Sequence, residues 1–358
     1  MSRFHDLTVT NIDRQTPDSV AISLDVPPEL ADDFHYRPGQ YLTLAATIGG
    51  EDVRRSYSIC SAPGEPVLKV GVKKVEDGTF SSFVNDRLAV GDTIRVMPPE
   101  GRFTPELGGD HHYLLIAAGS GITPMLSIAK TVLTNESGSQ ITLVYGNRST
   151  GTIMFRDELD DLKDRHMGRL SLVHVLSREA QDVDLLHGRI DGERVTRLVE
   201  TGLIDMEKVD LTFICGPGEM IDSVSAAIMA LGVPGKQIRY ERFTVDGEMA
   251  PPKAPSKAAR EAAQKGVAVE VLLDGMRRDF RIADPEKTVL AAGQDAGLDL
   301  PFSCAGGMCC TCRCRIVEGT AEMAVNYSLQ PWEIEAGFTL ACQTRPTSEK
   351  LVLDFDAA

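Results

Sequence analysis

Five of the eight cysteines fall between positions 304 and 314, and their spacing suits an iron site. Cys304, Cys309 and Cys312 form a C-x4-C-x2-C run, and Cys342 follows after 29 intervening residues. Thiolates are the soft ligands that iron–sulfur centres need, and such a run with one distant cysteine is the plant-type pattern for a [2Fe–2S] cluster. A zinc ribbon would normally use two C-x2-C pairs, whereas only Cys309 and Cys312 form one here. The sequence therefore predicts a [2Fe–2S] cluster.

The same loop contains two glycines and two further cysteines. Gly306 and Gly307 are expected to allow a tight turn that aims backbone N–H groups at the cluster sulfurs. Cys310 and Cys314 do not fit the ligand spacing and are interpreted as packed or surface thiols, although either could replace a ligand in a damaged cluster. Bunched cysteines in a large chain indicate a metal site in a reducing compartment, which predicts a cytoplasmic protein.

A short motif in the first third of the chain could bind a flavin. Arg55 supplies a cation for a phosphate, Tyr57 an aromatic ring that can stack on an isoalloxazine, and Ser58 a hydroxyl that can reach a ring nitrogen. An ordinary surface strand is the alternative. Downstream, a turn that can hold a phosphate at a helix N-terminus contains Gly78, Ser81 and Ser82.

A glycine turn near the middle of the chain is expected to bind a diphosphate. It follows the apolar run Tyr113–Ala118, which predicts a buried strand. The turn has the pattern G-x-G-x-x-P, with the proline expected at the first position of a helix. This pattern is weaker than the G-x-G-x-x-G fingerprint of dinucleotide-binding sheets. Its residues are Gly119, Gly121, Thr123 and Pro124.

Further polar and small residues follow other predicted strands of the same segment. Arg148, Ser177 and Arg178 suit the 2′-phosphate of NADPH, which favours NADPH over NADH, with solvated loop charge as the alternative. Cys215 and Gly216 end another strand, where the cysteine is either a small buried residue or a group that packs against a nicotinamide. All of these residues are expected at one edge of a sheet.

The patterns of the surrounding chain change twice. Up to about residue 105, short alternating runs between proline and glycine turns predict a β-barrel or sandwich. From about 111 to 245, strands alternate with helices, which predicts a parallel sheet. Residues 246–265 are rich in Pro, Ala and Lys and are interpreted as a linker with a short helix near Ser256–Gln264. We hypothesise that this linker lets the last segment swing between two positions.

Individual elements can also be predicted from hydrophobic periodicity. The predicted helices are Met125–Leu133 and Met220–Leu231. The predicted strands are Asp6–Val9, Val20–Leu24, Tyr41–Ala45, Leu68–Lys73, Thr93–Met97, Tyr113–Ala118, Ile141–Tyr145, Leu170–Val175, Leu211–Cys215 and Val267–Leu273.

Composition excludes several classes of protein. A formal net charge of −15 argues against nucleic-acid binding, which needs a basic face. It is compatible with docking onto a basic protein surface, or simply with solubility. The sequence contains no run of about twenty apolar residues, so no membrane span is predicted. The N-terminal ten residues lack the pattern of a secretory signal.

Together these motifs resemble the ferredoxin–NADP reductase superfamily, extended by a C-terminal plant-type ferredoxin domain. The resemblance implies an antiparallel β-barrel FAD domain at residues 1–107 and an α/β parallel-sheet NAD(P)H domain at 108–245. After the linker at 246–265, it implies an α+β ferredoxin domain of the β-grasp type at 266–358.

The resemblance also implies roles for single residues. Arg55 would bind the flavin pyrophosphate, Tyr57 would flank the ring, and Ser58 would lie near flavin N5, while the Gly78–Ser82 turn would be the second FAD-phosphate loop. Ser177 and Arg178 match the 2′-phosphate pair of the family, although the tyrosine that often follows them is not evident. The candidate catalytic residues, including the E-x-F end of the module, are Ser58, Cys215, Glu241 and Phe243.

The implied function is that of a reductase component. Electrons would pass from NADPH through FAD and the cluster to an oxygenase component, with a di-iron oxygenase acting on phenylacetyl-CoA as the favoured partner. A ring-hydroxylating or Rieske oxygenase is the alternative acceptor, and a redox-sensing binding protein is a more distant one. Three segments resemble this group of reductases, namely Tyr145–Arg148, Leu185–Asp191 and Asn326–Leu329.

Overall fold

The computed structural model describes residues 4–243 and 252–357. These two ranges form two compact units. All eight cysteines are free thiols. No helix in the described ranges is long and apolar enough to cross a membrane.

The N-terminal part of the first unit is an antiparallel sheet that closes on itself. Its elements are β1 (His5–Thr16), β2 (Ser19–Asp25), β3 (Tyr41–Ile48), β4 (Glu51–Ser58), β5 (Leu68–Lys73), helix α1 (Thr79–Asp86) and β6 (Thr93–Val96). The sheet order is β4-β3-β6-β1-β2-β5, and every pairing is antiparallel. A bridge from Ile59, directly after β4, to Val70 of β5 joins the two edges. Alternate apolar side chains such as Leu7, Ile22 and Leu42 fill the interior.

The second part of the first unit is a five-stranded parallel sheet with helices between the strands. Its elements are β7 (His112–Ala118), α2 (Ile122–Asn135), β8 (Gln140–Asn147), α3 (Arg156–Arg165), β9 (Leu170–Leu176), α4 (Gly192–Glu200), β10 (Leu211–Gly216), α5 (Gly218–Ala230) and β11 (Ile238–Arg242). The order is β11-β10-β7-β8-β9. Residues 113–117 of β7 are completely buried, as expected for a central strand covered on both faces.

The two parts of the first unit pack closely against each other. A Cβ atom on Gly71 of β5 would lie 2.7 Å from Thr123 Cγ2 and 3.0 Å from the ring of Phe155. The hydroxyl of Ser127 in α2 donates to the backbone oxygen of Ser61 at 2.7 Å. The interface therefore has no room for an extra methyl group at Gly71.

The second unit contains a mixed sheet and short helices. Its elements are α6 (Lys257–Lys265), β12 (Val267–Leu273), β13 (Met276–Ile282), α7 (Val289–Asp295), β14 (Arg313–Glu318), β15 (Ala321–Met323), α8 (Pro331–Glu335), β16 (Phe338–Leu340), β17 (Thr344–Pro346) and β18 (Lys350–Asp354). The five-stranded sheet has the order β13-β12-β18-β14-β16, with β12 and β18 parallel, and β15 pairs with β17. Val289 and Leu290 of α7 belong to the core with Phe280. The predicted fold of all three segments is confirmed.

The described part of the predicted linker packs on the second unit. Ser256 caps α6 by accepting the backbone N–H of Ala259 at 3.2 Å, close to the start of the predicted helix. Arg345 donates to the backbone oxygen of Lys253 at 2.6 Å. The boundary expected at residues 245 and 246 lies outside the described residues, so the domain limits stay a prediction.

All ten predicted strands and the three predicted helices are present, and most end within three residues of their predicted ends. The first strand is the exception, since it was predicted to end at Val9 and continues to Thr16. Two strands of the first unit were missed. β4 is mostly polar and exposed or half-buried, and β11 has only one fully buried residue, so neither shows a clear apolar alternation. Both strands carry candidate site residues.

Candidate functional site

The ends of β4, β10 and β11 bring together three of the four candidate catalytic residues. The Ser58 hydroxyl donates a hydrogen bond to Glu241 Oε2 at 3.0 Å, across 183 positions of sequence. Cys215 is the partner of Glu241 in the parallel register of β10 and β11. Ser58 and Cys215 are both buried. The end of β4 in the barrel thus meets the β10–β11 edge of the parallel sheet, which brings a hydroxyl, a carboxyl and a thiol together.

Burial controls the protonation of this group. Removal from water raises the pKa of Glu241 to about 7. The hydrogen bond from Ser58 lowers this pKa, but by less than burial raises it. Burial, and after it the neighbouring Glu241, raises the pKa of the Cys215 thiol well above its usual range. Cys215 is therefore a neutral thiol at physiological pH, and Glu241 is the group that can take up or release a proton there.

The raised pKa of Glu241 predicts a pH-dependent stability. The folded state binds the proton more tightly than the unfolded chain, whose ordinary value is 4.5. The resulting stabilisation is complete below that value and is lost as the pH rises through about 7. Relative to Glu241→Gln, which does not titrate, we expect the unfolding free energy of the native protein to fall by about 2 to 3 kcal/mol between pH 5 and pH 8. Urea unfolding at a series of pH values measures this, and a pH-independent difference would contradict it.

The fourth candidate, Phe243, ends the described part of the first unit. It is half-buried and packs against the core that contains Cys215. Tyr57 lies on β4 with its ring centroid 5.8 Å from that of Phe80 in α1, and burial raises its pKa. Arg55 is exposed, and its guanidinium donates to the backbone oxygen of Arg54 at 2.7 Å. β4 thus presents an exposed cation, a half-buried aromatic ring and a buried hydroxyl in succession.

The turn before α1 is shaped by one of its own serines. Ser81 Oγ accepts the backbone N–H of Val75 at 3.1 Å and donates to the backbone oxygen of Gly78 at 3.3 Å. A Cβ atom on Gly78 would lie 2.4 Å from that hydroxyl oxygen. The Ser82 backbone N–H donates to the oxygen of Gly78. Ser81 therefore holds the turn in shape, and its contact with a phosphate stays a prediction.

The glycine turn after β7 fits closely against β10. Gly119 has φ +53°, a left-handed conformation that favours glycine. A Cβ atom on Gly121 would lie 2.2 Å from the backbone oxygen of Cys215, so the turn requires glycine at this position. The Tyr145 hydroxyl donates to the backbone oxygen of Gly119 at 2.9 Å. The turn is thereby fixed at the N-terminus of α2, where a bound anion would meet backbone N–H groups.

The position expected for Pro124 is wrong by two residues. The residues from Gly119 to Gly121 form a short 3-10 turn, so α2 begins at Ile122 and Pro124 is its third residue. Proline is tolerated there because the first backbone N–H groups of a helix have no partner within the helix. Thr123, beside it, donates its hydroxyl to the backbone oxygen of Ser120 at 3.0 Å.

The three residues expected to bind a 2′-phosphate lie next to each other. The backbone N–H of Arg178 donates to the oxygen of Arg148 at 2.7 Å, and that of Ser177 donates to Asn147 at 2.9 Å. Arg148 Nη2 also lies 2.6 Å from a carboxylate oxygen of Asp18, in the turn between β1 and β2. This ion pair was not predicted from the sequence.

The four predicted cluster ligands form two pairs, Cys304 with Cys309 and Cys312 with Cys342. The Cys309 backbone N–H lies 3.4 Å from Cys304 Sγ, and the Cys342 N–H lies 3.5 Å from Cys312 Sγ. A [2Fe–2S] cluster gives each iron two cysteines, so two pairs fit it better than they fit one tetrahedral zinc ion.

Hydrogen bonds to the sulfur of the first cysteine favour its thiolate. The largest comes from the Cys309 side chain, and together with those from the backbone N–H groups of Met308 and Gly306 it outweighs burial and lowers the pKa of Cys304. Gly307 has φ +77°, and a Cβ atom there would lie 3.2 Å from the side chain of Gln343. The loop therefore directs backbone N–H groups at sulfur, as was predicted from its two glycines. These donors suit an anionic iron–sulfur group.

Gln343 was not predicted as a site residue, although it follows the fourth cysteine. Its side-chain amide donates to the backbone oxygen of Ala305 at 2.9 Å and lies 3.7 Å from Cys342 Sγ. Gln343 thus joins the distant ligand to the loop that carries the other three. Its position directly after a predicted ligand was the available signal.

The two cysteines outside the ligand spacing have different surroundings. Cys314 is completely buried in the core of the second unit, and burial raises its pKa. Cys310 is half-buried, has φ +60°, and its thiol donates to Ser328 Oγ at 3.0 Å. Ser328 in turn donates to the backbone oxygen of Gly307 at 3.2 Å. Both thiols have packing partners, as the first interpretation expected.

A buried ion pair lies directly after the cluster loop. Arg313 Nε is 3.2 Å from Glu333 Oε1, and both side chains are less than a tenth exposed. The guanidinium also lies 3.3 Å from the ring centroid of Phe338. Because Arg313 follows Cys312, this pair connects α8 to a predicted cluster ligand.

Three family models match consecutive parts of the chain. One described as an oxidoreductase FAD-binding domain matches residues 6–104, an oxidoreductase NAD-binding domain matches 115–226, and a 2Fe-2S iron-sulfur cluster binding domain matches 271–347. The chain therefore contains FAD-, NAD- and 2Fe–2S-binding domains in the predicted order.

Several relatives match nearly the whole chain. One of the subunits of the 1,2-phenylacetyl-CoA epoxidase of Escherichia coli (strain K12) is 44% identical over 361 residues, with 100% of this chain and 99% of the relative covered. The ferredoxin reductase component of the 3-ketosteroid-9-alpha-monooxygenase of Rhodococcus rhodochrous is 37% identical, with 99% and 97% covered.

A solved structure shows the same arrangement of folds. Phthalate dioxygenase reductase, described as a modular structure for electron transfer from pyridine nucleotides to [2Fe–2S], has a TM-score of 0.60 and 24% identity over 98% of each chain. At that identity the likeness concerns the fold alone.

Proposed function

Because the chain belongs to the reductase components of multicomponent oxygenases, a group within the ferredoxin–NADP reductase superfamily, we propose that its acceptor is the oxygenase of a phenylacetyl-CoA epoxidase. The observation that carries this proposal is the 44% identity to the Escherichia coli epoxidase component over the whole chain. NADPH is the proposed electron donor.

When bound, FAD and the [2Fe–2S] cluster supply the conversion of a two-electron hydride donor into single electrons. The chain's own residues bind and orient these groups. Arg55 and the Gly78 turn are proposed to bind FAD phosphates, and the Gly119 turn the nucleotide diphosphate. Ser58, Cys215, Glu241 and Phe243 are proposed to form the wall beside which the nicotinamide and the flavin meet. The part-buried Ser58–Glu241 hydrogen bond supports this, since it fixes the hydroxyl.

An anaerobic titration followed by visible spectroscopy tests the electron path. We propose that NADPH bleaches both a flavin band and a broader iron–sulfur band of the purified protein. Purified epoxidase oxygenase with phenylacetyl-CoA should then oxidise NADPH at a rate that depends on this reductase. If NADPH reduces the protein but the epoxidase oxygenase shows no turnover, the reductase function is retained and the proposed partner is wrong.

A different oxygenase is the second candidate acceptor. The 37% identity to a reductase component of a 3-ketosteroid monooxygenase favours it. Parallel assays with that class of oxygenase and its steroid substrate distinguish the two, because each acceptor is tested with the same reduced protein.

The preference for NADPH rests on the cations beside β8 and β9. Arg178 is exposed and adjacent to Arg148, so it can pair with a 2′-phosphate that NADH lacks. We expect Arg178→Ala to lower kcat/KM for NADPH by roughly tenfold or more, mainly through KM, and to change the NADH value by less than about twofold. Ferricyanide as acceptor isolates this step, and an equal loss with both nucleotides would refute the assignment.

We also propose that the protein works in the cytoplasm. None of the eight cysteines forms a disulfide and four of them are proposed cluster ligands, which supports a reducing compartment. Fractionation of cells that produce the protein, followed by immunodetection, measures its location.

A further inference from the structure

Asp18 occupies an unexpected position beside the predicted nucleotide-binding residues. It lies in the turn between β1 and β2 of the barrel, whereas Arg148 follows β8 of the parallel sheet, 130 positions later. The carboxylate accepts from Arg148 Nη2 at 2.6 Å, and the side chains are 31% and 44% exposed. An acidic side chain from one domain thus reaches the cation expected to bind the coenzyme in the other.

The position of this carboxylate is fixed by its neighbours. The Thr16 hydroxyl donates to Asp18 Oδ1 at 2.8 Å, and the Lys74 backbone N–H donates to the Asp18 backbone oxygen at 2.7 Å. Burial would raise the pKa of Asp18, but the hydrogen bond from Thr16 and the charges of Lys73 and Arg148 lower it overall. The group is therefore an anion at neutral pH.

A second cation connects Asp18 to the glycine turn. Lys73 Nζ lies 3.9 Å from Asp18 Oδ2, and a Cβ atom on Gly119 would lie 3.7 Å from the same ammonium. One carboxylate therefore sits between two cations, one beside the glycine turn and one at the end of the next strand. A phosphate that binds between the glycine turn and the residues that follow β8 therefore meets both cations and the Asp18 carboxylate.

We propose that Asp18 is a specificity-determining residue that competes with the 2′-phosphate of NADPH for Arg148. This inference rests on the proposed binding of NADPH at Arg148. A 2′-phosphate adds about 1.5 to 2 negative charges, so it must displace the carboxylate from the guanidinium and is repelled by it. The 2′-hydroxyl of NADH carries no charge and can donate a hydrogen bond to a carboxylate. Asp18 therefore reduces the advantage that the two arginines give to NADPH.

The test compares Asp18→Asn with the native full-length protein, using NADPH and NADH with ferricyanide as acceptor. Asparagine keeps an oxygen that can accept from Thr16 but removes the charge. We expect kcat/KM for NADPH to rise about fivefold, through KM, and the NADH value to stay the same or fall. Calorimetric titration with 2′,5′-ADP and 5′-ADP should show the same gain for 2′,5′-ADP alone, and the gain should shrink at high salt.

Two further variants act as controls. Asp86 forms an exposed ion pair with Lys74, which directly follows Lys73 at the end of β5. Asp86→Asn removes this carboxylate and should leave kcat/KM for both nucleotides unchanged. In an Arg148→Ala background, Asp18→Asn should no longer change the preference between nucleotides, because the competition needs the guanidinium. Thermal unfolding of each variant shows whether the fold is retained.

The outcomes separate this inference from the proposed NADPH site. If Asp18→Asn leaves the preference unchanged, or lowers NADPH use, while Arg148→Ala and Arg178→Ala weaken NADPH selectively, Asp18 is no competitor and the inference is overturned. If neither arginine variant distinguishes NADPH from NADH, the proposed 2′-phosphate site is itself wrong, and the inference is overturned with it.

Discussion

Replacing Cys342 by serine is expected to lower electron delivery to the oxygenase component by roughly a hundredfold or more, because a hydroxyl is a much poorer ligand for iron than a thiolate. Cys342 comes from the segment between β16 and β17, so no neighbour in the C-x4-C-x2-C loop can take over its position without moving the chain. Oxidation of NADPH with ferricyanide should stay within about twofold of the native rate, because the FAD and nucleotide residues lie in the other unit. Iron and sulfide content and the visible spectrum report the loss directly.

Cys310→Ser is the matched control for this experiment. Cys310 lies directly after a predicted ligand, and serine can keep the hydrogen bond to Ser328. The Cys310→Ser variant should therefore retain the cluster and the native rate of electron delivery. Full iron content in Cys342→Ser, together with loss of iron in Cys310→Ser, would show that the ligand set was assigned wrongly.

Breaking the ion pair between Arg313 and Glu333 is expected to destabilise the second unit by about 3 to 5 kcal/mol, the usual cost of an unpaired buried charge. Glu333→Gln isolates this effect. Glutamine can keep the capping contact that Glu333 makes with the Gln330 backbone N–H at 3.0 Å, but it removes the carboxylate charge that lies 3.2 Å from the guanidinium. Urea unfolding, followed by the cluster absorbance, measures the change.

The exposed Glu335 lies on the same short helix and provides the comparison. Glu335→Gln removes the same charge from a solvated site and should change the unfolding free energy by less than about 0.5 kcal/mol. The double variant Arg313→Met/Glu333→Leu should recover much of the loss, because it removes both buried charges. Equal stability of Glu333→Gln and Glu335→Gln would show that the buried pair contributes nothing.

The fold and the presence of a 2Fe–2S-binding domain were accessible from the sequence because their signals are local. Cys304, Cys309 and Cys312 lie within nine residues, so spacing alone indicates the chemistry. The central strand β7 is an almost unbroken apolar run, which marks a buried strand regardless of the rest of the chain. The roles of the individual site residues still rest on resemblance and on the experiments above.

The contacts between distant elements were not accessible in the same way. Glu241 lies on a five-residue strand without a clear apolar alternation, and its contact with Ser58 depends on how two domains pack. Asp18 and Arg148, or Arg313 and Glu333, are common surface residue types whose pairing depends on the tertiary fold. Sequence patterns describe which face of an element is apolar, but they do not say which polar side chains meet across an interface.

The tight contact at Gly71 has a consequence for exchanging modules between reductases. Barrel and nucleotide-binding halves look like interchangeable parts, yet here a methyl group at Gly71 would collide with Thr123 and Phe155. A chimera that joins this barrel to a foreign nucleotide-binding half would need similarly small or displaceable groups opposite that glycine. A chimera that gives this nucleotide-binding half a foreign barrel would need a glycine there. Compatibility between such parts would thus depend in part on one backbone position remote from the predicted cluster ligands, and recombination libraries could be filtered on it before any cofactor is considered.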